Sequence, residues 1–129
     1  MQTDTALLAM LTVFQVKHFA ADYLMQPACM LAGKGDFRRV GGYAHAAIHA
    51  AGSLPAYAIV GLGAGQTALL MAGEFAAHYL IDFGKAGLSS RAHASPAEQI
   101  YWSMHGADQL LHQLTYAALL AVSGMWMPA

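Results

Sequence analysis

The stretch VFQVKHFAADYLMQP, residues 13–27, places Lys17, His18 and Asp22 inside a run that is otherwise mostly apolar. A second stretch, GEFAAHYLIDFGK at residues 73–85, repeats the combination. Residues four apart on an α-helix lie on the same face. Each stretch therefore predicts an apolar helix that carries histidine and carboxylate side chains along one side.

The composition of the whole chain indicates its class. Of the 129 residues, 57% are apolar and only 10% are charged, against about 25% in soluble domains. A protein of this size has a large surface to cover with polar groups, so we expect a lipid bilayer as its partner. The net charge of −1 provides no basic excess to neutralise phosphates, which disfavours nucleic acid as a partner.

Four apolar segments are close to the roughly 20 residues that a helix needs to cross a hydrocarbon core of about 30 Å. They cover about residues 5–26, 40–62, 64–86 and 97–126. The segments predict an all-α fold, an integral membrane four-helix bundle that forms a single transmembrane domain over residues 1–129. A shift of sixty positions places His18 on His78 and Asp22 on Asp82, a pattern typical of a parallel internal repeat of two helix pairs.

Basic residues fall in two of the three connections. Lys34, Arg38 and Arg39 lie in the first, and Lys85 and Arg91 lie in the third. Positively charged loops face the cytoplasm in membrane proteins. The distribution therefore predicts a multi-pass protein with both termini outside the cytoplasm.

Polar residues of the four segments share two levels, given a rise of 1.5 Å per residue. The first level contains His18, His49, His78 and His105. The second, nearer the cytoplasmic end, contains Asp22, His45 and Asp82. We expect these side chains to face one another in the bundle.

Histidine and carboxylate pairs at four-residue spacing predict a metal site. The motif HAAIH, residues 45–49, points two imidazoles the same way, as in the zinc-binding helix of metalloproteases. Imidazole together with carboxylate favours zinc, iron or manganese. The predicted metal ligands are His18, Asp22, His45, His49, His78, Asp82, Asp108 and His112. An open coordination position would activate water, with Glu74 or Asp82 as the catalytic base, in a metal-dependent hydrolase.

Three other interpretations of the same residues stay open at this point. The polar residues would fix the packing of a non-enzymatic subunit, in a homo-oligomer or a larger membrane complex. Alternatively, His49 with His105, or His18 with His78, would hold a haem. A chain of Asp, Glu and His would also serve as a proton path.

The motifs HFAADYLMQ, HAAIH, HYLIDFGK and DQLLHQ, with Lys34 between the first two, follow one another in a characteristic order. Over residues 15–116 the series resembles a bacterial integral-membrane family known as domain of unknown function 3307. The resemblance implies a place in the bacterial inner (plasma) membrane, and it supplies no reaction. The family-like positions it implies are His18, Asp22, Gln26, Lys34, His45, His49, His78, Asp82, Lys85, Asp108, Gln109 and His112.

Overall fold

The structure is a computed structural model that describes residues 3–93 and 95–127, and every regular element in this part of the chain is helical. The elements are α1 (Thr3–Phe19), a π-helical turn (Ala20–Leu24), α2 (Ala28–Gly33), α3 (Val40–Gly52), α4 (Leu54–Ile59), α5 (Ala64–Ala92) and α6 (Gln99–Trp126). The prediction of an all-α fold is confirmed.

The segment at residues 40–62 forms two helices and not one. Helix α3 ends at Gly52, and α4 begins at Leu54 with Pro55 in its first turn. Proline has no N–H to donate and is tolerated in the first turn, where that donor has no helical acceptor. The chain therefore restarts its helix at Leu54, with Pro55 in the first turn.

The prediction of a multi-pass membrane protein is wrong. Within the described ranges, no helix combines the length and the apolar character that a membrane crossing requires. Helix α3 has 13 residues, which is about 20 Å of helix against a hydrocarbon core of about 30 Å. The longer α5 carries Glu74, His78 and Asp82, which lower its mean hydropathy. The localisation in the bacterial inner membrane and the orientation with both termini outside the cytoplasm are withdrawn for the same reason.

Helix α5 packs between α3 and α6, and α1 packs against α3, α4 and α6. An apolar core lies between α1, α4, α5 and α6. It contains Ala6, Met10, Phe14, Ala56, Tyr57, Val60, Leu70, Tyr116 and Leu119. The rings of Phe14 and Tyr116 stack there with centroids 5.2 Å apart. The buried histidines and carboxylates of the same helices follow directly beyond this core.

Two glycines allow the short helix α2 to lie directly on α3. A Cβ atom on Gly41 would overlap the carbonyl oxygen of Cys29, and one on Gly33 would lie 2.8 Å from the backbone nitrogen of Gly42. The backbones approach this closely because neither glycine has a side chain. The contact positions Lys34, which follows the end of α2, beside α5.

Candidate metal centre

Buried histidine and aspartate side chains from four elements form two groups whose ligand atoms lie within 4.8 Å of one another. The first, here called the Asp22 group, contains Asp22, His45, His49 and His78. The second, the Asp82 group, contains His78, Asp82 and His112. His78 belongs to both. The structure thus brings imidazole and carboxylate atoms close enough together to hold a metal ion.

The π-helical turn after α1 positions the carboxylate of the Asp22 group. The backbone N–H of Met25 donates to the carbonyl of Ala20, five residues earlier, at 3.0 Å. Such turns are rare and frequently occur at functional sites. Asp22 Oδ1 lies 3.0 Å from Nε2 of His49 and 3.1 Å from Nε2 of His45. The two histidines are fully buried one turn apart on α3, so Asp22 reaches across to both.

The Asp82 group contains polar atoms that lack partners. His112 Nε2 lies 3.4 Å from Asp82 Oδ1 and 3.5 Å from Asp108 Oδ1, and His78 Nε2 lies 3.4 Å from Asp82 Oδ2. His78 Nε2, His112 Nε2 and Asp108 Oδ1 are buried and make no hydrogen bond within the described residues. Buried polar atoms are paired in most native structures. Convergent unpaired nitrogen and oxygen atoms fit the donor set of a transition metal ion.

The protonation states of the centre also suit a cation. Burial lowers the pKa of His49 to about 2 and that of His78 to about 4, so both imidazoles are neutral at pH 7. Burial raises the pKa of Asp22 and Asp82, but the histidines next to both carboxyls, and Lys34 next to Asp82, more than offset it, and both carboxyls titrate well below their ordinary range. Neutral imidazole and ionised carboxylate are the forms that bind metal.

His112 is the exception among these histidines. Burial lowers its pKa, but the carboxylates of Asp108 and Asp82 outweigh burial and raise the pKa to about 9. His112 is therefore protonated at pH 7 in the metal-free protein. A metal ion that binds its ring nitrogen must displace that proton.

Two lysines balance the carboxylates of the centre. Lys34 Nζ lies 2.8 Å from Asp82 Oδ2, and Lys85 Nζ lies 2.8 Å from Asp108 Oδ2. Each pair joins two helical elements, because Lys34 follows α2 and Asp108 lies on α6. The lysines occupy the outer side of the centre.

Two predicted ligands, His18 and Asp108, lie beside the groups and not in them. His18 Nδ1 is 2.9 Å from the hydroxyl of Tyr116, and its Nε2 is 3.0 Å from Oε1 of Gln109. The Tyr116 hydroxyl is also 3.3 Å from Nδ1 of His49. Such outer contacts fix the orientation of a ligating imidazole. Tyr116 is not among the residues that the sequence motifs single out, although it follows His112 by four residues on the same face of α6.

The predicted base Glu74 lies away from both groups. It is fully buried, forms an ion pair with Lys17, and accepts a hydrogen bond from the hydroxyl of Tyr57 at 3.3 Å. Lys17 Nζ also donates to the carbonyl of His49 at 2.9 Å. The other predicted base, Asp82, lies inside the centre.

His105 lies at a different place from the one its spacing predicts. It was expected at the level of His78, but its Nδ1 lies 3.4 Å from Lys85 Nζ near the outer side. The ring of His112 lies next to His78 instead, with centroids 4.2 Å apart. Helix α6 is therefore shifted along its axis by about two turns relative to the expected alignment.

A cavity of about 270 Å³ connects the centre with the outside. Its walls include one carboxylate from each group, Asp22 and Asp82, together with Asp108. Lys34, Lys85 and His105 line the same space. A small molecule in this cavity would contact Asp22 of one group and Asp82 of the other.

Comparison with known proteins yields one match. No curated protein and no solved structure is significantly similar to the chain. The model of a family described as protein of unknown function (DUF3307) matches residues 10–128, which include every residue of both groups, and the match confirms the resemblance seen in the motifs. The chain belongs to this family of proteins of unknown function, DUF3307.

Proposed function

We propose that the protein binds a divalent metal ion, zinc, iron or manganese, in the His/Asp centre and acts as a metal-dependent hydrolase. The observation that carries the proposal is the position of His78, whose ring belongs to both ligand groups. Its Nε2 is buried and has no hydrogen-bond partner among the described residues.

Hydrolysis is the reaction class that the surroundings of the centre favour. A bound divalent ion supplies Lewis acidity and lowers the pKa of water. Asp22 and Asp82 are ionised, and both line the cavity that leads outward. Of the two predicted bases, Asp82 lines this cavity and Glu74 does not, so we assign Asp82 as the proton acceptor.

Two of the alternative interpretations, the packing layer and the haem site, agree less well with the contacts. A polar layer that only fixed packing would leave few buried atoms unpaired. Two such atoms belong to the Asp82 group, on His78 and His112, and a third lies beside it on Asp108. A haem between histidines needs a gap between their rings. Of the predicted haem ligands, His49 and His78 belong to different pairs but stack on each other, with ring centroids 3.7 Å apart, and His105 lies beside Lys85.

The test is the metal content of the purified protein, measured by elemental analysis beside a His78→Gln variant. We expect zinc, iron or manganese in stoichiometric amount in the wild type, and loss of most of it in the variant, because both groups lose a ligand. His93→Asn is the matched control, since His93 lies at the end of α5, outside the centre. Asparagine tolerates the positive φ of 47° at that position.

Circular dichroism establishes that each variant keeps its helices. Folded wild-type protein without bound metal, or equal metal in wild type and His78→Gln, would overturn the proposal. A Soret absorption band would overturn it in favour of haem. For the reaction itself, metal-loaded wild type should hydrolyse a chromogenic phosphate or carboxylic ester faster than His78→Gln, and equal rates would exclude a catalytic centre at His78.

A further inference from the structure

We infer that the ligand of this centre is a single-chain amphiphile, a hydrocarbon chain that ends in an anionic phosphate or carboxylate group. The inference rests on the proposed metal site and specifies its substrate class. Two neighbouring cavities carry it. One is the polar cavity at the centre, and the other is an apolar groove between α5 and α6.

The polar cavity has the charges to hold an anionic head group. Lys34 and Lys85 line it, with side chains 14% and 32% exposed. In the metal-free protein these lysines are balanced by Asp82 and Asp108. A divalent ion that binds Asp82 takes over the balance of Lys34 and leaves its ammonium group available, and the partly exposed Lys85 lines the same cavity. Ammonium groups form strong charge-assisted hydrogen bonds with phosphate and carboxylate oxygens.

The apolar groove has the walls to hold a hydrocarbon chain. It has a volume of about 370 Å³ and is lined by Leu80, Ile81, Gly84, Leu88, Met104, Ala107 and Leu111, besides Lys85 and Asp108. Leu80 is 60% exposed and Leu88 59% exposed, so neither has a partner that covers it among the described residues. The walls offer few polar atoms, which disfavours a peptide because its backbone amides would be buried without hydrogen bonds.

The two cavities meet at Lys85 and Asp108, which line both of them. A molecule with its anionic group near Lys85 can therefore extend its chain along the groove. This continuity joins a charged site to an apolar one, and it selects an amphiphile over a small polar anion.

The test measures binding of dodecyl phosphate to zinc-loaded protein by isothermal titration calorimetry, below the critical micelle concentration. Dodecyl maltoside has the same chain with a neutral head, and inorganic phosphate has the head without the chain. Each CH₂ group removed from water strengthens binding by roughly fourfold. We expect dodecyl phosphate to bind at least about tenfold more tightly than either control. Inorganic phosphate lacks the hydrocarbon chain that the groove would bury, and dodecyl maltoside lacks the charge that the lysines would bind.

Variants separate the groove from the charged cavity. Gly84→Phe fills the groove, and the structure accommodates the added side chain because no described atom lies within 4 Å of a Cβ built there. Gly73→Phe is the matched control on the same helix, since Gly73 is equally open and lies outside the groove. We expect Gly84→Phe to weaken dodecyl phosphate binding at least about tenfold, the equivalent of two buried CH₂ groups, and Gly73→Phe to leave it unchanged.

The double variant Lys34→Met, Lys85→Met tests the head group. It should weaken dodecyl phosphate binding by at least about tenfold, since the hydrogen bonds from the two ammonium groups to the anionic head group are lost. The control double variant Lys34→Arg, Lys85→Arg keeps both positive charges and should retain binding. Dodecanoate in place of dodecyl phosphate shows whether phosphate or carboxylate is preferred, and tight binding of either supports the inference.

Zinc content measured on the same samples separates this inference from the proposed function. The inference of an amphiphilic ligand is overturned if zinc is retained but dodecyl phosphate and dodecyl maltoside bind equally. It is also overturned if zinc is retained and Gly84→Phe binds dodecyl phosphate as tightly as wild type does. Either result leaves the metal site in place. Absence of zinc in folded wild-type protein overturns both, because the charge argument requires the metal.

Discussion

The rings of His49 on α3 and His78 on α5 stack with centroids 3.7 Å apart and planes inclined by 28°. Two imidazolium ions in this arrangement would repel each other in a buried place. The low pKa of both rings removes that repulsion. The stacked pair connects the Asp22 group to the Asp82 group, and burial keeps both rings in the neutral form that a metal requires.

The stability of the metal-free protein should decrease as the pH rises from about 6.5 to about 9. His112 has its pKa raised to about 9 in the folded state, from 6.5. Its contribution to the free energy of unfolding is fully present below the pKa of the unfolded state and is lost as the pH rises through the pKa of the folded state. The contribution is about 3 kcal/mol. Denaturant unfolding measured at several pH values should show the decrease in wild type and not in His112→Gln.

The same protein should also lose stability as the pH falls from 6.5 towards 4. His78 has its pKa lowered to about 4 in the folded state. As the pH falls, the unfolded chain therefore binds a proton at this residue before the folded protein does, which lowers the free energy of the unfolded state. Metal-free wild type should therefore be most stable near pH 6.5. A stability that stays flat between pH 4 and 9 would contradict both parts of this prediction.

Glu74→Gln and Lys17→Met should each destabilise the protein by about 3–5 kcal/mol, because each leaves one buried charge without its partner. The double variant Lys17→Met, Glu74→Gln should cost less than the sum of the two single changes. The measurement is the free energy of unfolding in urea. Arg39→Ala serves as control, since Arg39 forms an exposed ion pair with Asp36 and should change stability by less than about 1 kcal/mol.

The same variants test whether Glu74 acts in catalysis. We expect folded Glu74→Gln protein to keep its metal, because Glu74 lies outside both ligand groups. Loss of hydrolysis in a Glu74→Gln protein that is folded and metal-loaded would instead restore Glu74 as the base.

Gly41→Ala should destabilise the contact between α2 and α3 and displace Lys34 from Asp82. A Cβ atom at residue 41 would overlap the backbone of Cys29 and Met30, and backbone atoms cannot move aside locally. We expect a loss of about 1–3 kcal/mol, as in other overpacked sites. Gly73→Ala, in an open position on α5, should stabilise the protein by about 0.4–1 kcal/mol. Equal effects of the two changes on the unfolding midpoint would contradict the close helix contact.

Lys34→Met should increase the affinity of the centre for zinc by at least about tenfold, because a positive charge near the site opposes a cation. Lys34 Nζ lies 2.8 Å from Asp82 Oδ2, and a metal ion must displace that ion pair. Competition with a chelator gives the affinity. Arg91→Met is the control, since it removes a positive charge outside the centre and should leave the affinity for zinc unchanged. A weaker affinity for zinc in Lys34→Met would contradict the prediction and show that the lysine supports the metal site.

The error about the membrane has a physical cause. Composition averages apolar residues over the whole chain, whereas a crossing requires one uninterrupted apolar helix of sufficient length. The helix break between Gly52 and Leu54 shortens one predicted segment, and the polar residues of α5 interrupt another. The abundance of apolar residues therefore does not produce a described helix that is long and apolar enough to cross a membrane, although the helices lie close to the predicted segments.

The sequence by itself determined the local part of the site. A spacing of four residues places His45 with His49, and His78 with Asp82, on one helix face, because the helix repeats every 3.6 residues. These pairs are in the centre, as their spacing predicts. The predicted repeat of helix pairs stays a prediction, and His18 and His78 have different contacts in the structure, since His78 lies in both groups and His18 in neither.

Only the tertiary structure decided which side chains meet across helices. Helical periodicity fixes faces but not the axial offset between helices, which depends on packing such as the glycine contact of α2 with α3. That offset brings His112 and not His105 next to His78. The pairing of Lys17 with Glu74 and of Lys34 with Asp82 has the same origin, because contacts between residues far apart in sequence form only when the helices pack.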